Sequence, residues 1–203
     1  MERNMADKVM NTEDTQTAVS GRKLAVLFPG IGYHCDKPLL YYAGKLAAAH
    51  GYEIIRISYH DLPGRIMGND EKKKAAALLA LEQAREQLAD VDWQVYDDIV
   101  FIGKSIGTVI AAMVRRQGQI PCRTVCYTPL KETFLYAAGE AIVFHGTADP
   151  WEPDDEAVRE GCRRTGQILY ICPGGNHSLE TGDILGDLAY LREVMELTDR
   201  WLR

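Results

Sequence analysis

Six short apolar runs, all but the fourth trailed by a longer stretch with helical spacing, constrain this chain more than anything else in it. The runs are KLAVLF (23–28), YEIIRISY (52–59), DIVFIG (98–103), RTVCYT (123–128), AIVFHG (141–146) and QILYIC (167–172). Their apolar residues are largely continuous rather than alternating with polar ones, the mark of strands buried on both faces. Helical patterns lie between them, over 39–51, 70–90, 106–118, 152–164 and 183–203. In the second, Asp70 is the expected N-cap, and Leu78, Leu81 and Leu88 join several alanines in one apolar stripe. Gly51 and Gly118 close the first and third. In the last, Ile184, Leu185, Leu188, Leu191, Val194, Met195 and Leu202 fall near helical spacing.

Strand and helix in alternation imply a mainly parallel sheet of about six strands with helices on both faces, a three-layer α/β/α sandwich. The 203 residues suffice for one domain of this kind and are too few for two. We place that domain at 22–203. The preceding stretch, residues 1–21, is polar and aperiodic and reads as a flexible extension, either a remnant or an assembly element.

In an open parallel sheet, ligands sit beyond the carboxyl ends of the strands. The third run ends there on Gly103-Lys104-Ser105, which has two incompatible readings. A phosphate-binding loop needs G-x-x-x-x-G-K-[ST]. Its first glycine would stand at 98, where the chain has Asp98, and Ile99 to Ile102 are strand formers rather than a flexible loop. The same residues extended to Gly107 fit G-x-S-x-G between a strand and a helix. That turn presents a nucleophilic serine, with small residues on either side letting strand and helix approach.

A serine hydroxyl requires a base, and the base an orienting carboxylate, in the chain order Ser, Asp or Glu, His. Asp149 follows the fifth run in HGTADP, and His177 follows the sixth in GGNHS. Both loops leave the sheet at the edge where Ser105 does. Asp154 and Asp155 compete for the acid position, but they fall at a helix start, where the dipole already favours acids.

These pieces, together with FPGIG after the first run, resemble the α/β-hydrolase superfamily. The likeness is greatest to small lidless members of the dienelactone-hydrolase or short-carboxylesterase type, and it spans residues 23 to about 203. The resemblance implies a minimal α/β-hydrolase fold without a cap domain, with Ser105 as nucleophile, His177 as general base and acid, and Asp149 as orienting carboxylate. It implies an oxyanion hole from the amides of Ile106 and Ile31, with Gly32 as a neighbour able to substitute. Dienelactone hydrolases use a cysteine nucleophile, and this chain has Ser105 instead.

Only residues 129–140 occupy the place of a cap, so an accessible cleft is expected. Thr128, Leu130, Phe134 and Trp151 are candidate walls, and Gly32, Tyr33 and His34 candidate residues of its mouth. His34, Cys35 and Asp36 lack the distant partners of a metal site. His145 reads as a packed histidine, His60 and Asp61 as a solvated turn, His50 as structural, and Lys104 as pointing away without a role. The expected activity is a serine hydrolase that cleaves a small-molecule carboxylic ester or thioester through an acyl-enzyme, without metal or organic cofactor. A non-catalytic binding protein of the same fold, or a peptidase or acyltransferase using the same triad, are the rival readings.

A net charge of −6 argues against a general nucleic-acid grip. No apolar run reaches the roughly 20 residues of a membrane span. Five cysteines in no zinc spacing, with no apolar segment near the start, point to reduced thiols and a cytoplasmic setting.

Overall fold

The computed structural model describes residues 21–64 and 66–203. Apart from Gly21, the extension read over residues 1–21 lies outside the described residues. The elements are β1 (Lys23–Phe28), α1 (Pro38–Ala49), β2 (Tyr52–Arg56), α2 (Asp70–Gln87), β3 (Asp98–Lys104), α3 (Ile106–Gly118), β4 (Arg123–Tyr127), β5 (Ala141–Gly146), α4 (Asp155–Thr165), β6 (Ile168–Cys172) and α5 (Ile184–Leu202). Two 3-10 turns lie at Trp93–Val95 and Lys131–Leu135.

All six strands pair in parallel, in the order β2-β1-β3-β4-β5-β6. The sheet is buried on both faces, as the continuous apolar runs require. Ala25, Leu27, Val100 and Ile102 pack with Leu40 and Ala43 of α1 and with Val194 and Leu202 of α5. Leu24, Val26, Phe28 and Phe101 pack on the opposite face with Ala80 and Ala84 of α2 and Ile110 and Val114 of α3. Cys126 and Val143 meet Val158 and Cys162 of α4. Among the described residues no helix is long and apolar enough to cross a membrane, and all five cysteines are free and buried.

The chain winds from β1 outward to β2, then crosses back to β3 on the other side of β1. This reversal opens a crevice at the carboxyl ends of β1 and β3. The loop after β1 and the turn after β3 meet there.

Some boundaries differ from expectation. The cap of α2 is Asn69, whose side-chain oxygen accepts from the Lys72 amide at 2.9 Å; Asp70 is the first helical residue. An Asn cap is as good as an Asp cap, so one-residue placement turns on the entering backbone. Leu78 is 54% exposed and leaves the stripe that buries Leu81 and Leu88. In α5 the core contacts begin near Tyr190, so Ile184, Leu185 and Leu188 are exposed despite their spacing. Strand β2 stops at Arg56 and β3 runs one residue further than read, to Lys104.

Candidate active site

Ser105 joins β3 to α3 with φ 56° and ψ −125°, a conformation that a non-glycine residue adopts only under constraint. The constraint is visible. Its amide donates to the Tyr127 carbonyl of β4 at 3.0 Å, and its carbonyl accepts from the Thr108 amide at 2.9 Å and the Thr108 hydroxyl at 2.7 Å. Close packing then dictates the flanking glycines. A Cβ on Gly103 would stand 2.9 Å from the Thr108 backbone, and one on Gly107 only 2.1 Å from the Phe28 carbonyl oxygen.

Asp149 lies in the turn after β5 and is 1% exposed. Its Oδ1 accepts from the Trp151 amide at 2.9 Å, and its Oδ2 lies 2.7 Å from His177 Nδ1. His177 follows β6 in a loop ordered by Asn176, whose side-chain oxygen accepts from the Ser178 amide at 2.7 Å. The Ala148 amide donates to the Gly175 carbonyl at 2.9 Å, tying the two loops together. The other ring nitrogen of His177 lies 2.7 Å from Ser105 Oγ. A carboxylate can only accept, so Nδ1 carries the proton and Nε2 is left to accept the serine hydroxyl.

Burial alone would push the Asp149 carboxyl up; the His177 hydrogen bond, the imidazole's charge and the Trp151 amide outweigh it and hold the pKa below its ordinary value. Burial drives the His177 imidazole below its ordinary value, helped by the charge of Lys104 and opposed by the Asp149 hydrogen bond. The resting state is therefore a neutral imidazole between a hydroxyl and a carboxylate. Such an imidazole can take the hydroxyl proton while the carboxylate stabilises the imidazolium that forms.

Two residues that line one cleft with Ser105 and His177 have amides without acceptors among the described residues. Neither the Ile106 N–H, at the start of α3, nor the Ile31 N–H hydrogen-bonds to any described residue, while the neighbouring Gly30 and Tyr33 amides bond across their own turn at 3.0 and 3.2 Å. The first amides of a helix have no intrahelical acceptor, and a free donor pair beside a helix N-terminus favours negative charge.

A cleft of about 370 Å³ opens over Ser105 and His177. Its apolar lining includes Ile31, Ile106, Leu130 and Trp151, together with Ile66, Val109 and Met113. Trp151 also packs on the His177 ring, centroid to centroid 5.5 Å. A larger hollow of about 880 Å³ between α2 and α3 contains none of these groups.

The remaining sequence candidates lie elsewhere. The Gly30–Tyr33 bonds close the loop after β1 into a tight turn that carries Tyr33 into the core, where its hydroxyl accepts from the Leu39 amide at 3.1 Å. Gly32 and His34 border a separate hollow toward Ser58, and His34 pairs with Asp36 in solvent at 3.7 Å. Cys35 turns inward and Asp36 outward to Arg56, so His34, Cys35 and Asp36 diverge. Thr128 is fully buried and bonds to the His177 loop instead of lining the cleft. Phe134 packs under α4. Asp154 caps α4, and Asp155 binds the buried His145 at 2.8 Å. His50 pairs with Asp199, and His60 with the exposed Asp61.

Lys104 does not point away: it is 2% exposed. The signal was present in strand parity, since Val100, Ile102 and Lys104 share the buried α1/α5 face. No comparable signal marks Thr128, whose role depends on where the His177 loop lands.

No protein-family model and no curated protein sequence matches the chain. Solved structures do. An α/β serine hydrolase homologue from Coxiella burnetii is similar at a TM-score of 0.65 and 18% identity, over 90% of this chain and 85% of that one. Dienelactone hydrolase from Anabaena variabilis is similar at 0.64 and 15%, over 90% and 86%. Est1E from Butyrivibrio proteoclasticus, in a structure with ferulic acid bound, is similar at 0.64 and 12%, over 90% and 88%. At such identities the likeness is one of fold, and the fold is that of the α/β hydrolases.

Proposed function

We propose that this chain is a serine hydrolase that cleaves carboxylic esters or thioesters of small or accessible substrates. The observation that carries the reading is the unbroken hydrogen-bonded series from Ser105 Oγ through His177 to Asp149, 2.7 Å at each link, anchored on three separate strand ends. Ser105 attacks the substrate carbonyl as His177 Nε2 takes its proton. The tetrahedral oxyanion is received by the Ile106 and Ile31 amides, each such donor being worth about 3 kcal/mol of transition-state stabilisation. His177 returns its proton to the leaving alcohol or thiol, and the acyl group stays on Ser105. Water, deprotonated by the same imidazole, then releases the acid. Asp149 keeps the imidazole in the required tautomer throughout.

The strain at Ser105 supports catalysis over passive binding, because a backbone held in this region costs stability that a mere binding wall would not need. The cleft's size, with Trp151 and Leu130 as walls, suits a compact acyl group; the ferulic acid held by Est1E is of that kind.

A fluorophosphonate probe followed by peptide mass spectrometry tests the reading. A single adduct on Ser105, lost in Ser105→Ala together with turnover of short-chain p-nitrophenyl esters, is expected. Folded protein that takes no label, or takes it on another residue, refutes it. A panel of esters, thioesters and peptides then fixes the substrate class.

A further inference from the structure

Lys104 immediately precedes the strained serine, and none of the chemistry above uses it. It pairs with Tyr127 across the β3–β4 ladder, and its side chain passes beneath the loop after β1. A methyl placed on Gly30 would lie 3.4 Å from Lys104 Cδ, so stem and loop are in contact. Its Nζ stands 4.8 Å from the centre of the Tyr33 ring. Among the described residues it makes no salt bridge and no hydrogen bond, yet it is buried. A desolvated ammonium needs compensation, and the negative face of an aromatic ring provides it.

Tyr33 is not an isolated ring. It is the closing residue of the turn that holds Ile31, through its two backbone bonds with Gly30, and its hydroxyl fastens that turn to α1. One end of this assembly is the nucleophile strand and the other is the free Ile31 amide.

We propose that Lys104, in its charged form, is a positioning residue: seated on the Tyr33 ring, it draws the Gly30–Tyr33 turn against the nucleophile strand and so fixes the Ile31 amide relative to Ser105. This rests on the hydrolase reading and on Ile31 as an oxyanion donor. The charge is what makes the contact selective, since a neutral amine gains little from the ring.

That charge is poised. Burial lowers the Lys104 amine to about 7, with Asp149 and Glu180 opposing the shift and Lys37 adding to it. The groups facing it are Tyr33 and Lys37 from the start of α1 and its loop, Tyr127 from β4, Asp149 after β5, and His177 and Glu180 after β6. Two pH effects follow. Activity declines on the alkaline side as the amine loses its proton. Removing the cation relieves the His177 imidazole of a charge that lowers its pKa, so the acid limb moves upward.

The test compares wild type with Lys104→Met, Tyr33→Leu, Tyr33→Phe and the Lys104→Met/Tyr33→Leu double variant, on one p-nitrophenyl ester across pH, with Ser105 labelling in each. Lys104→Met keeps the stem and loses the charge. It should lower kcat about tenfold with little change in KM, since the amide acts in the transition state. It should also lose the alkaline limb and shift the acid limb up. Tyr33→Leu should match its loss of kcat while leaving the acid limb in place, since the cation remains, and in kcat the double variant should be little worse than either, as expected for partners in one contact. Tyr33→Phe, which keeps the ring, should stay within about twofold of wild type. Active wild type with unchanged kcat and pH limbs in Lys104→Met, or strictly additive effects, overturns the proposal alone. Wild type that neither labels nor turns over overturns the hydrolase reading and this proposal with it. If Lys104→Met does not fold, Tyr33→Leu decides: undiminished kcat there overturns the role.

Discussion

The Thr128 hydroxyl donates a 3.0 Å hydrogen bond to the backbone carbonyl of His177. Thr128 stands one residue past β4, at φ 43°, with its own amide on the Phe144 carbonyl of β5. The imidazole is thus held from two directions: by Asp149 at the ring and by Thr128 at the main chain. Thr128→Val removes the donor while keeping the branched shape, and it leaves a carbonyl without its partner. We expect kcat to fall by about five- to tenfold at nearly constant KM, with about 1 kcal/mol lost in stability. Steady-state kinetics and thermal unfolding on the same preparation check both.

Asp149→Asn separates orientation from charge. Asn retains an acceptor for the Trp151 amide, so the turn should survive. It no longer dictates the imidazole tautomer and cannot stabilise the imidazolium. Turnover should drop by roughly 10³–10⁴-fold while the melting temperature stays close to wild type. A kcat within tenfold of wild type would remove Asp149 from the mechanism.

The pH dependence has a defined sign. As the proposed base, His177 would act only when neutral, and its pKa is lowered below 6.5, chiefly by burial. As far as this group is concerned, activity is therefore gained as pH rises through that lowered pKa and is lost as pH falls through it; any alkaline decline belongs to Lys104. The acid limb of kcat/KM should lie below the ordinary histidine value, and a limb above 6.5 would contradict the burial described.

The two glycines around Ser105 are predicted to be intolerant for packing reasons. Gly107→Ala drives a Cβ to 2.1 Å from the Phe28 carbonyl oxygen and 2.6 Å from that of Pro29, both backbone atoms that cannot step aside. We expect a loss of about 3 kcal/mol or failure to fold. Gly64, with open space around its Cα and no positive φ, is the control. Its alanine variant should unfold within about 0.5 kcal/mol of wild type. Denaturant midpoints compare the two.

Much of this architecture was legible beforehand, and the reason is specific. Continuous apolar runs such as Leu24 to Phe28 have no solution except burial on both faces, and that requirement gives the parallel sheet. Ser105, Asp149 and His177 were singled out because each lies in a turn or loop leaving the carboxyl end of a strand, where chain order alone decides which sheet edge a residue reaches. The direction a side chain takes within its loop escaped this logic. Tyr33 and His34 are adjacent, yet one enters the core and the other faces solvent, because the Gly30–Tyr33 turn ends on Tyr33 and seats it inward. Leu130 and Phe134 lie four apart on one segment, yet only Leu130 meets the cleft, since α4 claims the ring of Phe134. Lys104 was misread because the third strand was read to end at Gly103, so strand parity was not carried on to the next residue.

Between β4 and β5 the chain inserts nothing larger than the Lys131–Leu135 turn. For the reaction proposed here, that brevity bears on timing and on fate. No cap at this position must first swing aside, so arrival of substrate carries no tax from a rarely populated open state. Turnover should begin without a lag and should show no jump when a poorly soluble ester passes from dissolved molecules to droplets. The short segment still lines the cleft, through Leu130, Leu135 and Tyr136, and Ser105 lies buried at its floor. For the hydrolase proposed here, release of the acyl group to water is the expected fate, and added alcohol acceptors should yield less new ester than free acid.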